Sequence, residues 1–151
     1  MKSFQIRQAK KADALTIARF NQNMAWETES KKLADELIIP GVQAVLDDPL
    51  KGRYYVAEQD GAVIGQLMIT YEWSDWRNQT IWWIQSVYVN ENSRGNGVYK
   101  ALYEAVKNDA SSAGVKTIRL YVEKENQVAK TVYRKLGMHE TVYDLYEVIL
   151  P

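Results

Sequence analysis

The sequence has no cysteine and a single histidine, His139. Without cysteine there is no disulfide, no thiolate metal site and no cysteine acyl-enzyme. One histidine leaves a histidine-based metal cluster or a Ser-His-Asp relay short of its usual parts, so no metal is expected. Neither sign of charge is in excess: Lys plus Arg and Asp plus Glu number 19 each, for a formal net charge of zero. A chain built for the nucleic-acid backbone is expected to be basic, so that partner is set aside. No apolar run approaches the ~18 residues of a membrane span. The opening MKSFQIRQAK lacks the apolar core of a signal peptide. The cytoplasm is the expected location, with no membrane partner. Phenylalanine is also scarce, two residues against five tryptophans and ten tyrosines. Rings with a polar handle suit wet pockets and interfaces as well as cores.

What is present is the mix of a globular domain: 46% apolar and 25% charged residues in a chain of 151. That length predicts one domain, residues 1–151. Phe4 to Arg7 reads as a first strand. Lys11 to Asn23 carries Ala14, Leu15, Ile17 and Ala18 at helical spacing. Ser30 is placed to cap a second helix toward Ile38, with a break at Pro40-Gly41 and a restart through Val42 and Leu46. Strands follow at Tyr54–Glu58, Ala62–Tyr71 and Thr80–Val89, the first two joined by a tight turn at Asp60-Gly61. Val98 to Ala113 is an amphipathic helix that Gly114 ends. Thr117–Val122 is a strand, Asn126–Leu136 a helix closed by Gly137, and Thr141–Ile149 a last strand. Consecutive strands on short turns pair antiparallel, and strands alternating with helices pair parallel. The expected fold is therefore α+β, a mixed, mostly antiparallel sheet of six to seven strands with helices on both faces.

Between Thr80–Val89 and the helix at Val98 lies SRGNGVYK. A strand that enters a helix through a glycine turn offers unpaired first-turn N–H groups and the positive end of the helix dipole to an anion. Gly95 and Gly97 let the backbone approach phosphate oxygens, and Arg94 can add charge-assisted bonds. A plain strand-to-helix connection would use the same glycines, so GNG alone serves either reading. A Walker loop is absent, and the dinucleotide fingerprint fails because its third glycine position is Lys100.

Read with LYVEKENQVAKTVYRKLG, Leu120 to Gly137, the R-G-N-G-V-Y loop resembles the GNAT superfamily of N-acetyltransferases. That family has an [RQ]-x-x-G-x-[GA] loop and, after a later strand, N-x-x-A-x-x-x-Y-x-x-x-G. This chain supplies Asn126, Ala129, Tyr133 and Gly137 in that register. It departs where the loop's last small residue is Tyr99. The resemblance implies an acyl-CoA N-acyltransferase-like fold with splayed central strands. It implies direct transfer of an acetyl group from acetyl-CoA, without a metal, to a primary amine of a small molecule. The implied roles are residue-specific. The edge at Val87 and Val89 pairs with the pantetheine arm. The amides of Gly95, Asn96, Gly97, Val98 and Tyr99, with Arg94, hold the diphosphate. Lys100 and Lys130 are candidates for the 3′-phosphate. Asn126 bonds the pantetheine or caps its helix, and Tyr133 protonates the departing thiolate.

The amine must lose a proton before it attacks. Glu72, Glu27 and Glu123 are the candidate bases, with Glu72 preferred and a water chain as a further route. On the acceptor side, Trp26, Glu27 and Trp73 combine aromatic faces with carboxylates, which suits a cationic amine; a tryptophan-rich hairpin against a second subunit is the other reading. A homodimer is one arrangement that the resemblance and the apolar last strand allow. The competing function is a non-catalytic acyl-CoA-binding sensor, which would share the loop and Asn126 but not need Tyr133.

Overall fold

The computed structural model describes residues 3–151. They form two compact units, one ending at Tyr121 and the other starting at Val122. The first holds a sheet of β1 (Gln5–Gln8), β2 (Arg53–Gln59), β3 (Ala62–Ser74), β4 (Gln79–Val89) and β5 (Ile118–Leu120), side by side in that order. The first four pair antiparallel, and β5 pairs parallel to β4. The β2–β3 turn has Asp60 at φ 51° and Gly61 at φ 79°. Both central residues are left-handed, which matches the twist of the flanking strands. The β3–β4 hairpin is tighter than the expected loop over 72–78, because the ladder runs on to Ser74 and Gln79.

Among the described residues there are four α-helices: α1 (Ala14–Glu29), α2 (Asp35–Asp47), α3 (Val98–Ser112) and, in the second unit, α4 (Gln127–Lys135). Ser30 does not start α2; it ends α1 in a left-handed conformation at φ 53°. The N-cap of α2 is Ala34. The expected break at Pro40-Gly41 is also absent, and α2 runs through both residues. Proline costs the helix one hydrogen bond, but Pro40 and Glu36, whose carbonyl is released, are both exposed, so water can serve that oxygen. Burial of Val42, flanked by Ile38, Ile39, Val45 and Leu46, holds α2 to the sheet.

Alternation in β2 sets the two faces of the sheet. Tyr54 and Val56 join Ala14, Ile17, Ala18 and Val42 in the core under α1 and α2. Tyr55 points the other way and donates to Asp109 Oδ2 of α3 at 2.7 Å. Desolvation, with the Asp109 carboxylate, pushes the Tyr55 phenol up to about 12. Val98, Leu102, Val106 and Ala110 line the buried stripe of α3.

Arg7 pins β1. It donates to both oxygens of Asp13, at 2.8 and 3.1 Å, and to Glu58 at 3.1 Å. The Arg7 hydrogen bond outweighs desolvation and holds the Asp13 carboxyl below its ordinary value. A depressed folded pKa adds stability above the unfolded value, and that stability is lost as pH falls through the folded one. Asp13→Asn is therefore expected to lose about 1.5–3 kcal/mol at neutral pH, the worth of bonds to a charged group. The gap between its melting curve and that of the parent should narrow once pH drops below about 4.

In the second unit, Asn126 caps α4 by accepting from Ala129 N–H at 3.1 Å. Gly137 at φ 91° ends it, with Met138 N–H reaching back to Tyr133 O. The expected strand Thr141–Ile149 is not formed; the segment joins no ladder among the described residues. The expected strand at 117–122 shrinks to Ile118–Leu120. The sheet thus has five strands, not six or seven. Strand propensity needs a neighbouring ladder before it becomes a strand, and the last segment joins none among the described residues.

Candidate functional site

The β4–β5 ladder pairs Trp82 with Ile118, Trp83 with Arg119 and Ile84 with Leu120, and stops there. β4 continues to Val89 with no partner on that side among the described residues. On its other side, Gln66 faces Tyr88 and Met68 faces Gln85, so Ser86 and Val87 together oppose Leu67. This is a β-bulge, with Ser86 at φ 53°, and a bulge bends its strand. Gln66 is buried and steadies the bulge, donating from Nε2 to Ser86 O at 3.2 Å and to Asn21 Oδ1 at 2.9 Å. Val87 and Val89 thus lie on a stretch of β4 that has no ladder partner on that side among the described residues.

A single 3-10 turn, Glu91–Ser93, leads from β4 into the glycine loop. Gly95 and Gly97 both take φ 79°, and a Cβ at either would meet nothing within 4 Å. Their need is conformational and the space around them is open. Gly97 is the N-cap of α3, so it has no side chain to offer the first-turn amides. Ala101 N–H is the first to turn back on the loop, to Gly97 O at 3.0 Å. The first-turn amides before it sit at the positive end of a fifteen-residue helix. Tyr99, the residue that departs from the small-residue pattern, turns its ring toward Tyr103 one turn along α3, at 6.3 Å between centroids. Asn96 folds back on the loop, donating to Ser93 O and Arg94 O.

A cleft beside this loop is lined by Met24, Glu27 and Thr28 of α1, by Val87, Tyr88 and Val89 of β4, and by Arg94. Arg94 donates from Nε to Val89 O at 2.9 Å and from Nη2 to Glu27 Oε1 at 2.7 Å. Tyr88 donates its hydroxyl to Glu27 Oε2 at 2.7 Å, and the guanidinium lies 5.3 Å from the centre of the Tyr88 ring. Desolvation pulls the Glu27 carboxyl up, yet hydrogen bonds from Tyr88 and Arg94 win and hold it below the carboxylate range. Desolvation and the neighbouring Glu27 push the Tyr88 phenol up. Glu27, Val87, Val89 and Arg94, drawn from distant parts of the sequence, therefore meet in one cleft.

Glu72, Trp73 and Trp26 are not among the residues that line the cleft. Glu72 faces Ile81 across the β3–β4 ladder, five residues from Ser86 or roughly 17 Å at strand rise. It accepts from Trp83 Nε1 at 2.8 Å and lies 3.9 Å from Arg119. Trp73 is 62% exposed at the hairpin end, and Trp26 is 56% exposed on α1. In the second unit, Asn126, Ala129, Tyr133 and Leu136 form the half-buried stripe of α4. Burial pushes the Tyr133 phenol above its ordinary value. Glu123 accepts from Glu125 N–H, and Lys130 Nζ donates to Lys124 O. Among the described residues no group of three His, Cys, Asp or Glu is placed to hold a metal ion, and no helix is long and apolar enough to cross a membrane.

Two residues of the site escaped the sequence reading. Tyr88 gave no signal beyond its place in an apolar strand. Gly65 gave one: a lone glycine inside an alternating strand marks close backbone approach. A Cβ there would come within 2.9 Å of Val98 Cγ1, so Gly65 lets the start of α3 sit down on β3.

A profile described as the Acetyltransferase (GNAT) family matches residues 13–138. Among curated proteins, the chain is 29% identical over 139 residues to the uncharacterized N-acetyltransferase YhfO of Bacillus subtilis (strain 168), covering 89% of each chain. It is 27% identical over 146 residues to the thialysine N-epsilon-acetyltransferase of Bos taurus, covering 89% of this chain and 84% of that one. Among solved structures, a possible acetyltransferase from Clostridium difficile 630 is 44% identical and superposes with a TM-score of 0.92 over 98% of each chain.

Proposed function

The chain belongs to the acetyltransferase (GNAT) family, and on that premise we propose that residues 1–151 act as a single domain that moves an acetyl group directly from acetyl-CoA to a primary amine of a small molecule, through a ternary complex. The observation that carries this reading is the pair of left-handed glycines opening α3 beside the stretch of β4 that has no ladder partner on that side among the described residues. A diphosphate suits the first: N–H groups of Gly95, Asn96, Gly97, Val98 and Tyr99 supply donors, and Arg94 lies next to them. An amide-rich arm suits the second, pairing with Val87 and Val89 as an added strand would. The bound thioester supplies an activated acetyl group; the protein orients it, accepts the amine's proton and returns one to sulfur.

Tyr133 is the proposed donor of that last proton, and Asn126 a second contact to the pantetheine. Trp26, Glu27 and Trp73 are the proposed acceptor side. Their carboxylate and ring faces favour a cationic amine, in keeping with a relative named for thialysine. For the amine's proton, Glu27 has both oxygens engaged by Arg94 and Tyr88, which suits binding better than proton transfer. Glu72 accepts one hydrogen bond, from Trp83, with Arg119 at the longer distance of 3.9 Å, and is the proposed base, reached through water given its place along β3.

Release of free thiol from acetyl-CoA across a panel of small amines tests the function. Turnover with at least one primary amine is expected; cofactor binding without turnover on any would replace the enzyme by a sensor. The pH–rate profile then separates the two carboxylates. Removing the base leaves the reaction waiting on the free amine, so Glu72→Gln should move the acid limb toward the amine's own pKa, near ~10.4 for a lysine-like group. Glu27→Gln should leave that limb in place and raise KM for the amine. The opposite pattern would exchange the two roles.

A further inference from the structure

β4 reverses its alternation at the bulge. Before it, Trp82 N–H points away from β3 and donates to Thr117 O at 3.2 Å; after it, Asn90 N–H points toward β3 and donates to Ile64 O at 2.8 Å. In an unbroken strand two even-numbered residues would point the same way. The extra residue at Ser86 and Val87 shifts the count by one. Beyond it, the backbone groups of Val87 and Val89 face away from β3, and Val89 O accepts there from Arg94 Nε at 2.9 Å. The side chains turn over as well. Ile84 pairs with Ile69 on the Tyr55 side of the sheet, whereas Tyr88 pairs with Gln66 and packs on Phe20 of α1, 5.0 Å between ring centres. Without the bulge, neither Val87 nor Tyr88 would face the cleft as it does.

The strain of this arrangement falls on Ser86, a residue with a Cβ held at φ 53°. Such a conformation persists only where the surroundings impose it. Here a polar chain buried between the sheet and α1 does so. Gln66 Nε2 donates one hydrogen to Ser86 O and the other to Asn21 Oδ1. Asn21 Nδ2 donates to the Tyr54 hydroxyl at 3.4 Å, and Tyr54 also hydrogen-bonds the Ser86 side chain. Gln66 is 0% exposed and Asn21 3%. The arrangement leaves Gln66 Oε1 with no hydrogen-bond partner among the described residues. A buried acceptor left unpaired works against stability, and a half-satisfied network serves a core less well than an apolar side chain. Gln66 therefore does more for the course of β4 than for the firmness of the core, although it is not among the residues that line the cleft.

We propose that Gln66 is a positioning residue for acetyl transfer: by holding Ser86 in its left-handed conformation, it keeps the backbone groups of Val87 and Val89 turned toward the thioester-bearing arm of the cofactor. This rests on the acetyl-CoA reading, and the test tells the two apart. Gln66→Met keeps the length of the side chain and removes both donors. In the unaltered free protein the Tyr88 amide should exchange slowly and those of Val87 and Val89 quickly; in Gln66→Met that contrast should fade, a result that needs no cofactor. Calorimetric titration then compares coenzyme A with 3′-phosphoadenosine 5′-diphosphate, which keeps the diphosphate and lacks the arm. Gln66→Met should bind coenzyme A about tenfold more weakly, the worth of one or two backbone hydrogen bonds, and bind the nucleotide as the parent does. Adding Ser86→Gly should recover most of that loss, because glycine takes a positive φ without strain. Asn21→Ala removes the second anchor of the Gln66 amide; it should give a smaller loss of the same kind, and it decides the matter where Gln66→Met does not fold. Equal loss of both ligands with no recovery on Ser86→Gly means a loosened core and overturns the proposal. So does an unchanged exchange pattern, or coenzyme A binding that the variants leave intact. An unaltered protein that does not bind coenzyme A removes the acetyl-CoA reading itself, and this proposal with it.

Discussion

Gly97→Asp is expected to weaken coenzyme A binding by about 100-fold while lowering fold stability by only about 1 kcal/mol. The stability term comes from the backbone. Gly97 holds φ 79°, and an L-residue there costs on the order of 1–2 kcal/mol, less for aspartate, which tolerates the left-handed region. Nothing lies within 4 Å of the new Cβ, so no steric term is added. The binding term is electrostatic. A carboxylate about 4 Å from a phosphate charge costs roughly 1 kcal/mol in water and 4 kcal/mol at a protein surface, and each 1.4 kcal/mol is tenfold. Gly97→Ala separates the two, since it carries the backbone cost without the charge. Calorimetric titration with coenzyme A beside a thermal melt reads both quantities. Equal affinity loss in the alanine and aspartate variants would show that the loop matters through its shape alone and that no anion sits on it.

The contact between Arg94 and Glu27 gives that loop a second connection. They are joined at 2.7 Å, so the proposed diphosphate side and the proposed acceptor side share one ion pair. Both side chains are about two-fifths exposed, so the pair adds little to stability. Its effect is on geometry: the guanidinium is fixed between Val89 O, Glu27 and the face of Tyr88. If the proposed roles hold, an anion at the loop would compete with Glu27 for Arg94, and a cationic amine would compete with Arg94 for Glu27.

The parts of the fold that were legible in the sequence are those set by local chemistry. β2, β3 and β4 show in their alternation and in the Asp60-Gly61 turn, which two left-handed residues confirm. α3 shows in its apolar stripe and in Gly114. The glycine loop was legible for the same reason, since a positive φ narrows the choice of residue. What was not legible depends on partners far along the chain. Nothing near Arg94 announces Glu27, sixty-seven residues away. The bulge at Ser86 is fixed by Gln66 from another strand. Pro40 reads as a breaker until the burial of Val42 and its neighbours outweighs one lost hydrogen bond. Thr141–Ile149 reads as a strand because its residues are those of a strand, but propensity alone does not supply the ladder that it lacks among the described residues.

Tyr133→Phe is the second large effect, a fall in kcat of about 100-fold with KM for acetyl-CoA unchanged. Burial raises the Tyr133 phenol above its ordinary value near 10. A group with a raised pKa stays protonated throughout the neutral range, as a proton donor must. General acid help is worth typically 10²–10⁴-fold. The lower end applies here, because a thiol with a pKa near ~8.5 is already a fair leaving group at neutral pH. The same reasoning gives a signature that a structural tyrosine would not produce. As pH rises past about 8.5 the thiolate departs without protonation, so the gap between parent and variant should close. If the phenol only supports α4, its loss lowers the melting temperature and scales the rate equally at every pH. A constant ratio between the two pH–rate curves would therefore remove Tyr133 from the chemistry, and a ratio that shrinks toward alkaline pH would keep it there.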